Sequence, residues 1–295
     1  MYKKFKGTGV ALVTPFDSQL KVNFRELEKV VTHTLGQGID YLVVQGTTGE
    51  SVTVKENEKI EILRKVNQLN RDKPVIMGIG GNDTDKVLSQ IEALSKESFD
   101  AVLSVCPYYN KPSQTGLIKH FIMIADKSPK PVILYNVPGR TSINLSAQST
   151  AELSHHPNII GVKEASGDFN QAVEIIKLSS DDFLLISGDD FLTLPLISIG
   201  AVGVISVLAN ALTSQMCNIV NYALDNNYTE AQKLLYSISR INNLMYLEGN
   251  PTGVKFLMEL LEICSGDVRP PLYKASKELQ EKIKSALEEI KNPAN

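Results

Sequence analysis

The sequence predicts an α/β protein, a (β/α)8 TIM barrel with a C-terminal helical extension, and three observations predict it. Eight short apolar runs recur at 10–13, 41–44, 75–77, 101–105, 132–134, 159–162, 183–186 and 202–206, most without polar alternation. Strands that are hydrophobic on both faces belong to parallel sheets covered by helices. Helical patterns lie between the runs, the alternation of βαβ units. After about residue 212 the strand signal stops and only helical patterns remain. A chain of 295 residues holds one such barrel of about 250 residues with an addition. A doubly wound open sheet is usually marked by a Gly-rich first turn, whereas the first run here ends in Val13-Thr14-Pro15-Phe16. Gly78-Ile79-Gly80-Gly81 is not a dinucleotide fingerprint in sequence or position. Its glycines read as tight backbone packing at the barrel rim.

The elements follow in order. Asn23 and Glu26 look like an N-cap with its return glutamate, ahead of Leu27, Val30, Val31 and Leu35 at helical spacing. Gly36 and Gly38 end that helix. Thr53 and Glu56 repeat the capping pattern before Ile60, Leu63 and Val66, and Thr84 opens a helix through Val87, Leu88, Ile91 and Leu94. Past the last strand, 213–224, 229–246, 253–261 and 274–290 read as helices. Asp225-Asn226-Asn227, Gly249-Asn250-Pro251 and Arg269-Pro270-Pro271 break them. The first of these helices can still close the barrel. Residues 1–225 are therefore assigned to the barrel and 226–295 to a helical domain covering its flank or an oligomer interface.

Composition narrows the function. Hydrophobic content of 43% with 21% charged residues is ordinary for a globular protein. A net charge of -3 offers no basic stripe to nucleic acid. No apolar run approaches the roughly 20 residues that span a bilayer, and Met1 to Lys6 is followed by no signal-peptide core. Cys106, Cys217 and Cys264 are few and far apart, which fits neither a disulfide framework nor a zinc knuckle. A cytoplasmic protein acting on a small molecule is the expectation.

In a barrel of this kind, function collects where strands end, because active sites are built from the loops at the strand C-termini. The second strand ends in Gly46-Thr47-Thr48-Gly49-Glu50, the fourth in Cys106-Pro107-Tyr108-Tyr109-Asn110-Lys111-Pro112, the fifth in Tyr135-Asn136-Val137-Pro138-Gly139-Arg140-Thr141. The sixth ends at Lys163 and the seventh in Ser187-Gly188-Asp189-Asp190. A lysine ending an apolar strand puts its amine at the mouth of an apolar scaffold, where burial disfavours an ammonium. A neutral amine is a nucleophile that forms Schiff bases with carbonyl compounds. Taken alone, a strand-end lysine is more often an ordinary solvated charge; the company of Lys163 changes the reading. Turn amides and hydroxyls at Thr47-Thr48 suit a carboxylate, a tyrosine can shuttle protons, and an arginine can clamp a second carboxylate in a bidentate pair. His33, His120, His155 and His156 all fall outside strand ends, so neither a hydrolase triad nor a two-His metal site is present. The set fits Schiff-base chemistry on a small keto acid without metal or cofactor.

Each piece also has a plain structural reading. Gly46 to Gly49 is a common turn, and Asn136 to Gly139 a tight one. Tyr108 and Tyr109 could pack at an oligomer interface, and Arg140 could be a surface charge. Asp189 and Asp190 suit the positive end of a helix, and Cys106 suits a buried small hydrophobe. Their joint position at strand ends, in barrel order, favours the chemical reading.

Three segments carry a resemblance from Gly7 to about Pro271: Gly46-Thr47-Thr48-Gly49-Glu50-Ser51, Tyr135-Asn136-Val137-Pro138-Gly139-Arg140-Thr141 and Gly161-Val162-Lys163-Glu164-Ala165. The chain resembles the dihydrodipicolinate synthase / N-acetylneuraminate lyase family of pyruvate-dependent class I aldolase barrels. Pro107 to Pro112, Arg140, Glu164-Ala165 and Ser187 to Asp190 are more similar to its synthase branch. The resemblance implies condensation of pyruvate with L-aspartate-4-semialdehyde to 4-hydroxy-tetrahydrodipicolinate, a step of lysine and diaminopimelate biosynthesis. It implies a Schiff base on Lys163 and a proton relay of Tyr135, Thr47 and Tyr109, the last reaching in from a neighbouring subunit. Thr48 would hold the pyruvate carboxylate and Arg140 that of the second substrate. Gly188 and Ile205 would line the site, and the assembly would be a homotetramer, a dimer of dimers. A lysine-binding regulatory cleft in such proteins uses Tyr108, Asn82, a basic residue at position 56 and a glutamate at position 86. Here those last two are Glu56 and Lys86, which implies weak or absent feedback by lysine. A sugar-acid or N-acetylneuraminate aldolase, and a non-catalytic sensor on the same scaffold, are the alternatives.

Overall fold

The computed structural model describes residues 2–291. Strands β1 (Gly7–Ala11), β2 (Tyr41–Val44), β3 (Val75–Gly78), β4 (Ala101–Val105), β5 (Val132–Asn136), β6 (Ile159–Glu164), β7 (Leu184–Ser187) and β8 (Gly203–Ser206) close into one barrel in chain order. Every pairing is parallel, including the β1–β8 closure. Helices α1 (Phe24–Gly36), α2 (Glu56–Leu69), α3 (Thr84–Ala93), α4 (Gln114–Lys127), the single turn α5 (Pro138–Thr141), α6 (Ala147–Ser154), α7 (Phe169–Leu178) and α8 (Thr193–Ser198) fill the crossovers. Helix α9 (Thr213–Leu224) packs on β1 and β8 and completes the ring. The predicted (β/α)8 barrel is therefore the fold. Three further helices, α10 (Tyr228–Leu244), α11 (Thr252–Leu260) and α12 (Lys277–Lys291), form the extension.

The apolar strands feed two cores, since successive side chains point to opposite faces. Val10, Leu42, Val44, Met77, Val102, Val132, Leu134 and Val162 face outward against the helices. Ala11, Val43, Ile76, Leu103, Ile133, Ile160, Ile186 and Ile205 fill the barrel lumen. Phe5 plugs the lower end, edge-on to Tyr41 with ring centroids 6.0 Å apart. Because Tyr41 is wholly buried, its hydroxyl needs a partner, and it donates to the Val204 carbonyl at 3.1 Å. The Gly78 position is glycine because a Cβ there would collide with the Gln45 carbonyl, the rim packing the sequence suggested.

Several local expectations are corrected. Asn23 does cap α1, accepting from the Glu26 amide, but the Glu26 carboxylate does not return to the cap. It accepts instead from the Ser265 amide at 3.0 Å, joining α1 to the segment after α11. The cap of α2 is not the Thr53–Glu56 pair: Glu58 accepts from the Lys55 amide at 2.8 Å, while the Thr53 hydroxyl donates to the Glu50 carbonyl. Helix α3 does begin at Thr84 as read, with Asp83 accepting from the Lys86 amide as its cap. Helix α12 begins later than residue 274 because Ser276 accepts from the Leu279 amide. In each corrected case a competing polar partner, distant or one turn away, decides the boundary. Among the described residues no helix is long and apolar enough to cross a membrane.

Candidate active site

Lys163 and Tyr135 meet because β5 and β6 pair them in register. Residues paired across parallel strands project to the same face, here into the mouth of the barrel. Glu164, next along β6, points the other way, where Asn136, the Ser166 amide and Gln171 hydrogen-bond its carboxylate. Lys163 is 5% exposed, and its Nζ lies 4.3 Å from the Tyr135 ring centroid. No carboxylate pairs with it among the described residues. A glycine at 188 is required by this packing: a Cβ there would sit 2.6 Å from the Ala165 Cβ and 3.1 Å from the Lys163 Cε.

The amine lines a cavity of about 360 Å³ shared with Thr48, Tyr135, Arg140, Gly188, Asp189, Tyr246 and Asn250. The structure thus brings together Lys163, Tyr135, Thr48, Arg140 and Gly188, five of the residues singled out in the sequence. Ile205 lies wholly buried in the lumen core that also holds Tyr135. Thr47 lines a neighbouring cavity of about 270 Å³, and Tyr135 forms part of the wall of both. Tyr108, Glu56, Lys59 and Gln90 line that second cavity. Tyr109 borders neither; it is 88% exposed with a φ of 75°. Asn82 and Lys86 line neither cavity: the Asn82 carbonyl accepts from Asn110, and Lys86 sits 3.8 Å from Asp83.

Thr47–Gly49 forms a 3-10 turn whose later amides, Gly49 and Glu50, close on the Gly46 and Thr47 carbonyls. The first amides of such a turn have no internal acceptor, so the start of the turn is a donor site for an anion. Asn250 Nδ2 donates to Thr48 Oγ1 at 3.0 Å. With one lone pair occupied, the Thr48 hydroxyl has its proton to give to an acceptor in the cavity.

Asp189 and Asp190 are not a simple pair at a helix end. Asp189 caps the turn before α8, accepting from the Phe191 and Leu192 amides. Asp190 is buried and accepts from the Val207 and Leu208 amides at 3.1 and 2.9 Å, tying β7 to the loop after β8. Burial pushes its carboxyl above the usual carboxylate range. Cys106 is buried as expected, and burial pushes its thiol up to about 12.

Sequence reasoning missed the contributions from the extension. Tyr246, read as the last residue of a helix, and Asn250, read only as part of a helix break, both come from the segment between α10 and α11. Deeper in the same joint, Lys255 on α11 pairs with Glu50 at 2.6 Å, both side chains essentially inaccessible. The available signal was Lys255 itself, a lone charge inside Val254-Lys255-Phe256-Leu257-Met258. Among the described residues no group of three or more His, Cys, Asp or Glu is placed to hold a metal ion.

Comparisons with known proteins identify the family. The model of the dihydrodipicolinate synthetase family matches residues 4–290. A 4-hydroxy-tetrahydrodipicolinate synthase of Cytophaga hutchinsonii is 49% identical over 283 residues, 96% of this chain and 95% of that protein. The dihydrodipicolinate synthase of Thermotoga maritima superposes with a TM-score of 0.95 at 33% identity, covering 98% of this chain and 99% of that one. The chloride-inhibited dihydrodipicolinate synthase of Acinetobacter baumannii, solved with pyruvate, gives a TM-score of 0.94 at 34% identity, with 97% and 99% covered. The chain belongs to the dihydrodipicolinate synthetase family.

Proposed function

We propose that the protein is a Schiff-base lyase that condenses pyruvate with L-aspartate-4-semialdehyde to give 4-hydroxy-tetrahydrodipicolinate. The observation that carries this reading is the unpaired Lys163 amine, buried beside Tyr135 in a cavity that also holds Thr48 and Arg140. Relatives covering nearly the whole chain are named for this activity, which disfavours the sugar-acid aldolase and sensor alternatives.

In this reading the Lys163 amine adds to the ketone of pyruvate and water leaves, forming the Schiff base. The start of the Thr47–Gly49 turn and the Thr48 hydroxyl hold the pyruvate carboxylate. Tyr135 gives the departing hydroxyl its proton, and Thr47, on the far side of the tyrosine, passes protons to it. Loss of a methyl proton gives an enamine, whose carbon bonds to the aldehyde of the second substrate while Arg140 holds that substrate's carboxylate. The substrate's amine then displaces the lysine and closes the ring. Gly188 leaves room for the lysine, and Ile205 closes the floor. No cofactor is needed, because the protonated Schiff base formed on the lysine acts as the electron sink.

Tyr109 completes the relay only from another copy of the chain. Its exposure, and that of nearby Val52 at 81%, support a dimer across this face, and we extend this to a homotetramer. The cleft at Tyr108 and Asn82 is ill suited to free lysine. Glu56 is already paired with Lys59 at 2.8 Å, and Lys86, its side chain 82% exposed, presents a second cation to the effector's ammonium. Weak or absent inhibition by lysine is expected; half-maximal inhibition at micromolar lysine contradicts it. A coupled assay with pyruvate and aspartate semialdehyde, run beside sugar-acid substrates, tests the reaction. Turnover confined to the sugar acids would overturn it.

A further inference from the structure

We propose that Asp189 selects the second substrate by holding its ammonium group. The proposal rests on the reading above, in which an amino-acid aldehyde meets the enamine on Lys163. Beside Lys163, the cavity carries two side chains of opposite charge that meet no counter-charge among the described residues. Arg140 pairs with no carboxylate among the described residues, and Asp189 with no cation. Nor do they pair with each other, although both line the same space. One Asp189 oxygen, Oδ1, accepts from the amides of Phe191 at 2.8 Å and Leu192 at 3.1 Å. Capping the turn therefore uses only that oxygen, and Oδ2 has no hydrogen-bond partner among the described residues.

Arg140 is exposed at the mouth and Asp189 half-buried, and two opposite charges left apart on one open cavity attract a ligand that carries both signs. An α-amino acid head group has that pattern, with ammonium and carboxylate on one carbon. With its carboxylate on Arg140 and its ammonium on Asp189, its aldehyde arm reaches inward toward Lys163. Asn250 lines the same cavity, but its Nδ2 is spent on Thr48 and its Oδ1 is closed off from the open space. An ammonium has three protons to give, and Asp189 Oδ2 is placed to accept one of them. The lysine amine and the Thr48 hydroxyl, by contrast, face the keto acid. The cavity is thus divided into an inner half that reads a keto acid and an outer half that reads a zwitterion.

The test is Asp189→Asn, which keeps an oxygen for the turn amides and removes the charge. Three quantities are measured: the KM for L-aspartate-4-semialdehyde, the inhibition constant of 4-oxobutanoate (the same aldehyde without its amino group), and the KM for pyruvate. The expected result is a rise of about ten-fold or more in the first, the scale of one lost charge-assisted hydrogen bond, with the other two unmoved. Asp189→Glu should recover part of the loss. A parallel rise for both aldehydes, or no rise for either, overturns the proposal. Wild-type protein that traps pyruvate yet does not consume aspartate semialdehyde overturns the reading beneath it, before any variant is made.

Discussion

Lys163 and Lys255 are both buried lysines, and the difference between them separates chemistry from architecture. Each amine lies 4.3 Å from an aromatic centroid, Tyr135 for Lys163 and Phe16 for Lys255. Lys255 is paired: Glu50 Oε1 accepts at 2.6 Å and the Asp267 carbonyl at 2.7 Å. The other Glu50 oxygen accepts from the Arg269 amide, so three parts of the extension and the β2 loop are locked together. Among the described residues Lys163 has no such partner, and it lines a cavity. A buried charge is held by a partner; an amine buried without one is poised to act as a nucleophile. Exposure alone, 5% against 0%, does not distinguish the two.

The comparison can be broken or sharpened by removing each amine. Lys163→Ala should leave the fold and its melting temperature nearly unchanged while turnover falls by at least about 10⁴-fold, the scale of losing a covalent nucleophile. Lys255→Met should do the opposite. It strands Glu50 as a buried, uncompensated charge, costing about 3–5 kcal/mol of stability in denaturant melts. Adding Glu50→Gln should return much of that loss, which no account of Lys255 as a mere packing group predicts. Tyr135→Phe keeps the ring beneath Lys163 and removes its proton, so kcat should drop by about 10²- to 10⁴-fold with pyruvate binding retained. An equal loss of binding would deny Tyr135 the role of proton shuttle.

His120 supplies the smallest effect and a third kind of buried titratable group. It sits on α4 beside Thr84 Oγ1 at 2.9 Å, with Nε2 unpartnered, and it lines neither the Lys163 cavity nor the one beside it. Burial pushes its pKa down from 6.5 to about 4. The unfolded chain therefore binds this proton more readily. Its contribution to stability is full above pH 6.5 and is lost as the pH falls toward 4. His120→Gln should flatten the fall in melting temperature across that window by an amount equivalent to about 1–3 kcal/mol at most.

What the sequence made legible follows the same division. All eight strands were visible because apolar runs report burial on both faces, and Lys163, Tyr135, Thr48 and Arg140 were visible because strand ends report the mouth of the barrel. The start of α3 at Thr84 was legible, but the α2 cap was misplaced by two residues, since the Thr53 hydroxyl could cap and only the fold turns it to the Glu50 carbonyl instead. Asp190 was misread because its true partners, Val207 and Leu208, lie on the next crossover. Asn250, Tyr246 and Lys255 escaped notice because their partners are 202, 56 and 205 residues away. Local pattern carries no information about such contacts.

The central claim is that the Lys163 amine forms a covalent bond with pyruvate. Incubating the protein with pyruvate and sodium borohydride, then mapping the modified peptide by mass spectrometry, tests it directly. One reduced pyruvate adduct on Lys163, and none on Lys255, is the predicted result. An unchanged mass at Lys163, or label spread over surface lysines, would contradict it.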